Sequence, residues 1–332
     1  MKKVLLLLVV FFALAPAFAL DCSVCKRKIK ARYLKDKNGK TFCSEKCFTA
    51  AAPTCAKCRK PCVQGAYTFM KKLYCSKECL NAVSKCANCS RPTPRQIRII
   101  TTPDGKKKFF CPACANNPKC YYCAFPYKTS VLPDQRHICA DCRKTVISSP
   151  AVIQQKLKSI RYKLHRMYGF DPNHHIELIV FDLPQLAKES SGIYQMENGN
   201  RMALMRFEYV INEKRDFRGR KTKTLGRTKC RMFVLNHTPS DLLEDALAHE
   251  LTHDYLRHHA GQCDDLSVEE GFAEAVAAEY NKSLNRKYIN VRKQNTPDSV
   301  YGDGYRKMSK MLQQQGFRKT LNFIKSKSKP YL

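Results

Sequence analysis

Seventeen of the chain's 19 cysteines lie between Cys22 and Cys142, and their spacing repeats. The first unit is Cys22-x-x-Cys25 followed by Cys43-x-x-x-Cys47, and the second is Cys55-x-x-Cys58 followed by Cys75-x-x-x-Cys79. The third is Cys86-x-x-Cys89 followed by Cys111-x-x-Cys114, and the fourth is Cys120-x-x-Cys123 followed by Cys139-x-x-Cys142. The two pairs of each unit are 17, 16, 21 and 15 residues apart. Two cysteines on one tight turn grip one side of a tetrahedral zinc ion, and a second turn completes the shell. The runs Phe42 to Phe48 and Tyr74 to Leu80 are near copies, which points to internal duplication. Each unit is too small for its own apolar core, so bound metal would supply its folding energy. Disulfides are the competing use of these thiols, but cysteines two residues apart make poor staples, and zinc is favoured. Cys62 is a spare thiol or an alternative ligand, and Cys230 and Cys263 are free buried thiols or a pair.

Residues 1–19 read as a cleavable secretory leader: Lys2 and Lys3, an apolar run from Val4 to Ala15, and Ala17-Phe18-Ala19. Cleavage after Ala19 would start the mature chain at Leu20 and send it out of the cell or into a periplasm. No later stretch is apolar enough to span a bilayer. The formal charge is +32. Loss of the leader and four zinc sites, each net −2, would leave about +22. A balance this basic suits acidic surfaces or polymers. Nucleic-acid binding is a disfavoured rival.

Beyond Ser148-Ser149-Pro150 the pattern changes. Val152, Ile153, Leu157, Ile160, Leu164 and Met167 recur at helical spacing up to Gly169. Ile176 to Phe181, Ala203 to Ile211 and Arg231 to Leu235 read as strands. The last is expected to lie along a cleft, where it could pair with an extended peptide. Asn212 to Lys229, rich in Lys and Arg, reads as a basic arm or a solvated hairpin. Ser240 is the expected N-cap of a helix running to about His259.

That helix carries His249-Glu250-Leu251-Thr252-His253. Histidines four apart share a helical face and can hold one Zn²⁺, with Glu250 placed as general base toward a water. A third ligand is needed. Glu270 is favoured, with 16 residues between it and His253, and Glu269 is its main rival. His258 and His259 are weaker rivals. Glu274, one turn past Glu270, would orient a ligand histidine. The structural alternative makes Ser267 and Glu270 a capping box. Asp254, after the second histidine, is either a supporting group or an exposed charge.

Three segments carry a family likeness: Phe233 to Leu256 with its His-Glu-x-x-His, Val268-Glu269-Glu270-Gly271, and Ser299-Val300-Tyr301-Gly302-Asp303-Gly304-Tyr305-Arg306. The stretch Gly316 to Ile324 follows in the same manner. In these the chain resembles the DA-one peptidases, LIM-domain proteins known from plants, over most of residues 150–330. The resemblance implies a zinc endopeptidase with His249 and His253 as ligands and Glu250 as base. The Glu-Gly-Phe-Ala-Glu run also resembles the third-ligand segment of gluzincins. No ubiquitin-interacting helix is recognisable, so ubiquitin control and growth-regulator substrates are not carried over. Tyr301 and Tyr305 either stabilise an oxyanion or pack as core.

The expected architecture is α+β: a zincin-like metallopeptidase domain (146–332) after tandem LIM-like or treble-clef-like fingers (20–80 and 81–145). The expected metal content is one catalytic and about four structural zinc ions. The expected partners are a protein or peptide substrate and a protein docked on the fingers. The rival functions are a non-catalytic finger scaffold and a basic nucleic-acid binder.

Overall fold

The computed structural model describes residues 3–4 and 20–329, apart from 31, 37, 64, 94–95, 103–104, 171–174, 192–201, 209–210, 216–218 and 226–228. The leader read at 1–19 lies outside the described residues except for that pair, as do Arg218 and Arg227 of the basic stretch. Among the described residues no helix is long and apolar enough to cross a membrane. The fold is mixed α and β with four clusters of four cysteines.

The chain divides into two compact units: 1–100 with 108–117, and 101–107 with 118–332. The fourth cysteine unit therefore belongs with the C-terminal half. The sequence had grouped it with the third finger and put the boundary at 145.

All four fingers share the backbone turn of their first cysteine pair. In each, the residue after the second cysteine is left-handed: Lys26, Arg59, Ser90 and Ala124 have φ of 59°, 61°, 61° and 61°. Its N–H closes a turn onto the first cysteine's carbonyl (Lys26 to Cys22, Arg59 to Cys55, Ser90 to Cys86, Ala124 to Cys120) at 2.9 Å throughout. A small hairpin then delivers the third cysteine. A buried side chain precedes it every time: Phe42, Tyr74, Phe110 and Ile138. Cys62 is 1% exposed in the small core of the second finger with Ala66, Tyr74 and Leu80. There it fills the place that Ile29 fills in the first finger, and it stands outside the four-cysteine cluster.

In the second unit, α1 (Pro150–Tyr168) begins with proline in its first turn and ends at left-handed Gly169. Its buried stripe is Ile153, Leu157, Ile160 and Leu164. Burying each such side chain stabilises the fold by about 1.5–3 kcal/mol. A three-stranded sheet follows. Strand β1 (Ile176–Phe181) runs parallel to β5 (Lys229–Leu235), and β2 (Ala203–Glu208) runs antiparallel on β5's other side. β5 is thus central, with both edges paired, and cannot accept a peptide strand. The edge beside the next helix is β2, which corrects the expectation for Arg231 to Leu235. The basic stretch is an antiparallel hairpin of β3 (Ile211–Arg215) and β4 (Lys221–Leu225). α2 (Leu183–Glu189) follows β1 behind a capping box of Asp182 and Gln185.

α3 (Ser240–His259) and α4 (Leu266–Ser283) pack against each other. The N-cap position of α3 is Pro239, and Ser240 is its first helical residue. The cap of α4 is Asp265, whose carboxylate accepts from the Ser267 and Val268 N–H groups. This removes the capping-box reading of Ser267 and Glu270. α5 (Lys287–Asn295) is followed by a π-helical turn, Ser299–Asp303, and then α6 (Gly304–Lys325), which breaks at Gly316. α4 and α6 meet backbone to backbone: a Cβ on Gly271 would lie 2.3 Å from the Gly304 carbonyl carbon. Only glycine fits there, and the contact brings the Tyr301–Tyr305 turn up to α4.

Candidate metal centre

The four cysteine groups each converge on a point. Neighbouring sulfurs lie 3.5 Å (Cys25–Cys43), 3.4 Å (Cys58–Cys75), 3.9 Å (Cys89–Cys111) and 3.8 Å (Cys123–Cys139) apart. Zinc–sulfur bonds of about 2.3 Å set tetrahedral edges near 3.8 Å, so the spacing fits zinc in all four. It does not fit a disulfide, whose sulfurs are about 2.05 Å apart. All 19 cysteines are free thiols. In the first finger the backbone N–H groups of Cys25 and Cys43 draw the Cys22 thiol down to about 6, toward the thiolate a metal needs.

A fifth group stands between α3 and α4. His249 and His253 turn their Nε2 atoms toward one place, 3.0 Å apart. Glu270 Oε2 lies 3.1 Å from the first and 3.4 Å from the second. Bonds of about 2.0–2.2 Å to nitrogen and oxygen give tetrahedral edges of about 3.3–3.6 Å, close to these separations. Glu270 Oε2 is buried and has no hydrogen-bond donor among the described residues. Buried acceptors that converge without donors suit a cation. His249 and Glu270 are 9% and 8% exposed, and His253 is partly buried.

The other sequence candidates fall around this triad. Glu250 is 6% exposed, and its Oε2 accepts from the Met205 N–H of edge strand β2 at 2.8 Å. Glu269 is placed beside His253 Nδ1, 3.2 Å away, and away from the shared point. Glu274 Oε1 lies 3.3 Å from His249 Nδ1, close but short of an aligned hydrogen bond. The Tyr301 ring stacks beside His249 at 6.3 Å between centroids. Tyr305 sits in the apolar core, 6% exposed, where burial raises its phenol. His258 pairs with Asp254 at 3.6 Å, and His259 packs on Tyr255, so neither joins the triad.

Burial disfavours charge on His249, yet Glu270 and Glu274 beside it push its imidazole up to about 9 without metal. Burial likewise opposes ionisation of Glu270, but His253 and His249 hold its carboxyl well below the usual range. A divalent cation at the shared point would take the place of these protons.

Two features escaped the sequence reading. One is Lys293, 9% exposed, an ammonium enclosed behind Glu274. Polar spacing on α5 gave no sign of it, since lysine is by default a surface residue. The other is a looser group of Cys230, Asp254 and His258, whose ligand atoms lie within 4.8 Å of one another. Burial pushes the Cys230 thiol up to about 11, aided by Asp254 and opposed by Arg161. Cys230 and Cys263 are not joined to each other, and the Cys263 thiol faces the Asp265 carbonyl. No protein-family model matches the chain, and no curated protein matches it.

Proposed function

We propose that the second unit is a zinc-dependent peptidase of zincin-like fold, with His249, His253 and Glu270 as metal ligands. The observation that carries this reading is the convergence of two imidazole nitrogens and one unpaired carboxylate oxygen, with Glu250 one residue from the first ligand. It agrees with the likeness of residues 233–256, 268–271 and 299–306 to the DA-one peptidases. Zinc in this place supplies Lewis acidity toward a water and a scissile carbonyl.

The chain's own residues do the remainder. Glu250 takes a proton from the attacking water and delivers it to the departing amine. The outer edge of β2 has no strand partner among the described residues and, beyond the Met205 N–H that Glu250 accepts, would offer backbone N–H and C=O groups to an extended peptide, as strand addition requires. Tyr301, whose ring stands beside His249, would donate to a developing oxyanion. Glu269 and Glu274 face the outer nitrogens of the two histidines and leave the inner ones for metal. The fingers serve docking, since every position of a four-cysteine shell is filled. The protein would act outside the cytoplasm, and a mature N-terminus found at Leu20 would fit.

The test compares wild type with Glu250→Gln, both zinc-loaded, on a peptide library with newly formed termini identified by mass spectrometry. Cleavage should fall by at least a thousandfold with metal content unchanged. Equal cleavage by both proteins would end the peptidase reading.

A further inference from the structure

Behind His249 a row of buried and half-buried polar groups crosses three helices. Asn281 Nδ2 on α4 donates to Asp245 Oδ1 on α3 at 2.6 Å. Asp245 Oδ1 also lies 2.9 Å from Lys293 Nζ on α5. Lys293 Nζ donates in turn to Glu274 Oε2, and Glu274 Oε1 faces His249 Nδ1 at 3.3 Å. Lys293 is 9% exposed, so its ammonium has given up most of its water. Burying a lysine is costly unless it is paired, and this one is paired on two sides.

We infer that Lys293 is a positioning residue for the metal centre, acting on His249 through Glu274. The inference rests on the proposed metal site. An ammonium carries donors only, so Glu274 Oε2 is fixed as an acceptor and the plane of the carboxylate is set. The remaining oxygen then faces Nδ1 as an acceptor. His249 must present N–H at Nδ1, which leaves the Nε2 lone pair directed at the point shared with His253 and Glu270. Asp245 and Asn281 hold the ammonium from the other side. Without Lys293 the Glu274 carboxylate loses the donor that fixes its rotation, and both ring tautomers of His249 become accessible. A lysine serving only to staple α5 to α3 and α4 would support stability but leave metal affinity untouched.

The experiment uses the full chain with zinc in the cysteine sites. Co²⁺ is titrated into the remaining site, and its d–d absorption is followed. Outer partners of metal ligands are worth about 10–100-fold in affinity, and Lys293→Met should weaken Co²⁺ binding by that factor. Adding Lys293→Met to Glu274→Gln should produce no further loss, because the effect passes through Glu274. Co²⁺ affinity within twofold of wild type, with only a lowered melting temperature, would overturn the inference. If Lys293→Met does not fold, Asp245→Asn/Lys293→Met removes both charges together and carries the same comparison. Failure of the site itself reads differently: wild type and His249→Ala would then bind Co²⁺ alike.

Discussion

Three residues before its third cysteine, each of the first three fingers carries an exposed lysine: Lys40, Lys72 and Lys108. The fourth carries Arg136, 3% exposed. Two residues after the second cysteine the first three have exposed Arg27, Lys60 and Arg91, and the fourth has buried Phe125. Between the first two cysteines, Val24 and Lys57 face solvent where Tyr122 is 2% exposed. The backbone turns are the same, so the difference lies in what surrounds them. Tyr122 Oη donates to the His237 carbonyl at 2.8 Å, and Arg136 Nη2 donates to the Asn236 carbonyl at 2.7 Å. Those carbonyls belong to the turn that leads from β5 into α3. Val146 and Ile147, just past the finger, pair with Pro239 and Thr238. The first three fingers thus leave these positions open to solvent, while the fourth braces the turn that leads into the helix bearing His249.

The largest expected contrast comes from breaking a metal shell in each place. Cys139→Ser should cost the second unit several kcal/mol, since metal binding and folding are one equilibrium in such modules. Hydrogen exchange across residues 230–260 should accelerate, and zinc by native mass spectrometry should fall by at least one. Cys43→Ser should lose one zinc and leave exchange in 230–260 as in wild type. Acceleration in both proteins would erase the distinction between the fingers. Wild type should hold five zinc ions, one for each four-cysteine group and one for the His249 site; a sixth would bring in Cys230, Asp254 and His258.

The next contrast is Arg136→Met against Lys72→Met. Arg136 bonds Asp134 at 2.8 Å with both side chains nearly sealed from solvent. Removing one partner of such a pair costs about 3–5 kcal/mol, because the other charge is left buried. Asp134 also accepts from the Leu183 N–H, so the loss should reach the start of α2. Lys72 is exposed, and its replacement should not move the melting temperature measurably. Similar effects at both positions would mean that the fourth finger is no more embedded than the second.

Tyr122→Phe should be milder. It deletes the hydroxyl that donates to the His237 carbonyl and accepts from Arg136. Leaving buried polar partners unsatisfied costs about 1–3 kcal/mol. The loss should show as a lower denaturation midpoint with an unchanged denaturant slope.

Much of this was legible in the sequence because the governing rules are local. Cysteine spacing is set by turn geometry, so the four units could be counted from the chain. His249 and His253 share a face because helices repeat every 3.6 residues. The site's remainder depends on packing at long range. Glu270 and Glu269 are neighbours in sequence, and which one turns toward the imidazoles depends on how α4 is rotated against α3. That rotation is set in part by the Gly271–Gly304 contact, which no local pattern announces. The central place of β5 was missed because strand order follows from crossovers rather than from residue type. The bracing finger did leave a trace: Phe125 and Tyr122 stand where its siblings have basic or small exposed residues. Its knuckle had lost the solvent-facing chemistry that the other three retain.

The smallest effects should come from the feature that all four fingers share. Arg59 and Ala124 both hold φ of 61°. A side chain in that region costs about 1–2 kcal/mol, and glycine removes the cost. Glycine also loosens the unfolded chain, which returns about 0.5–1 kcal/mol of it. Arg59→Gly and Ala124→Gly should therefore each stabilise by less than about 1 kcal/mol, measured by urea denaturation with zinc present. The two shifts should match, because the turn is the same and neither depends on what the finger packs against. A stabilisation at Arg59 with a loss at Ala124 would show that the bracing contacts reach into the zinc knuckle itself, and the fourth finger would then differ from the others in backbone as well as in surface.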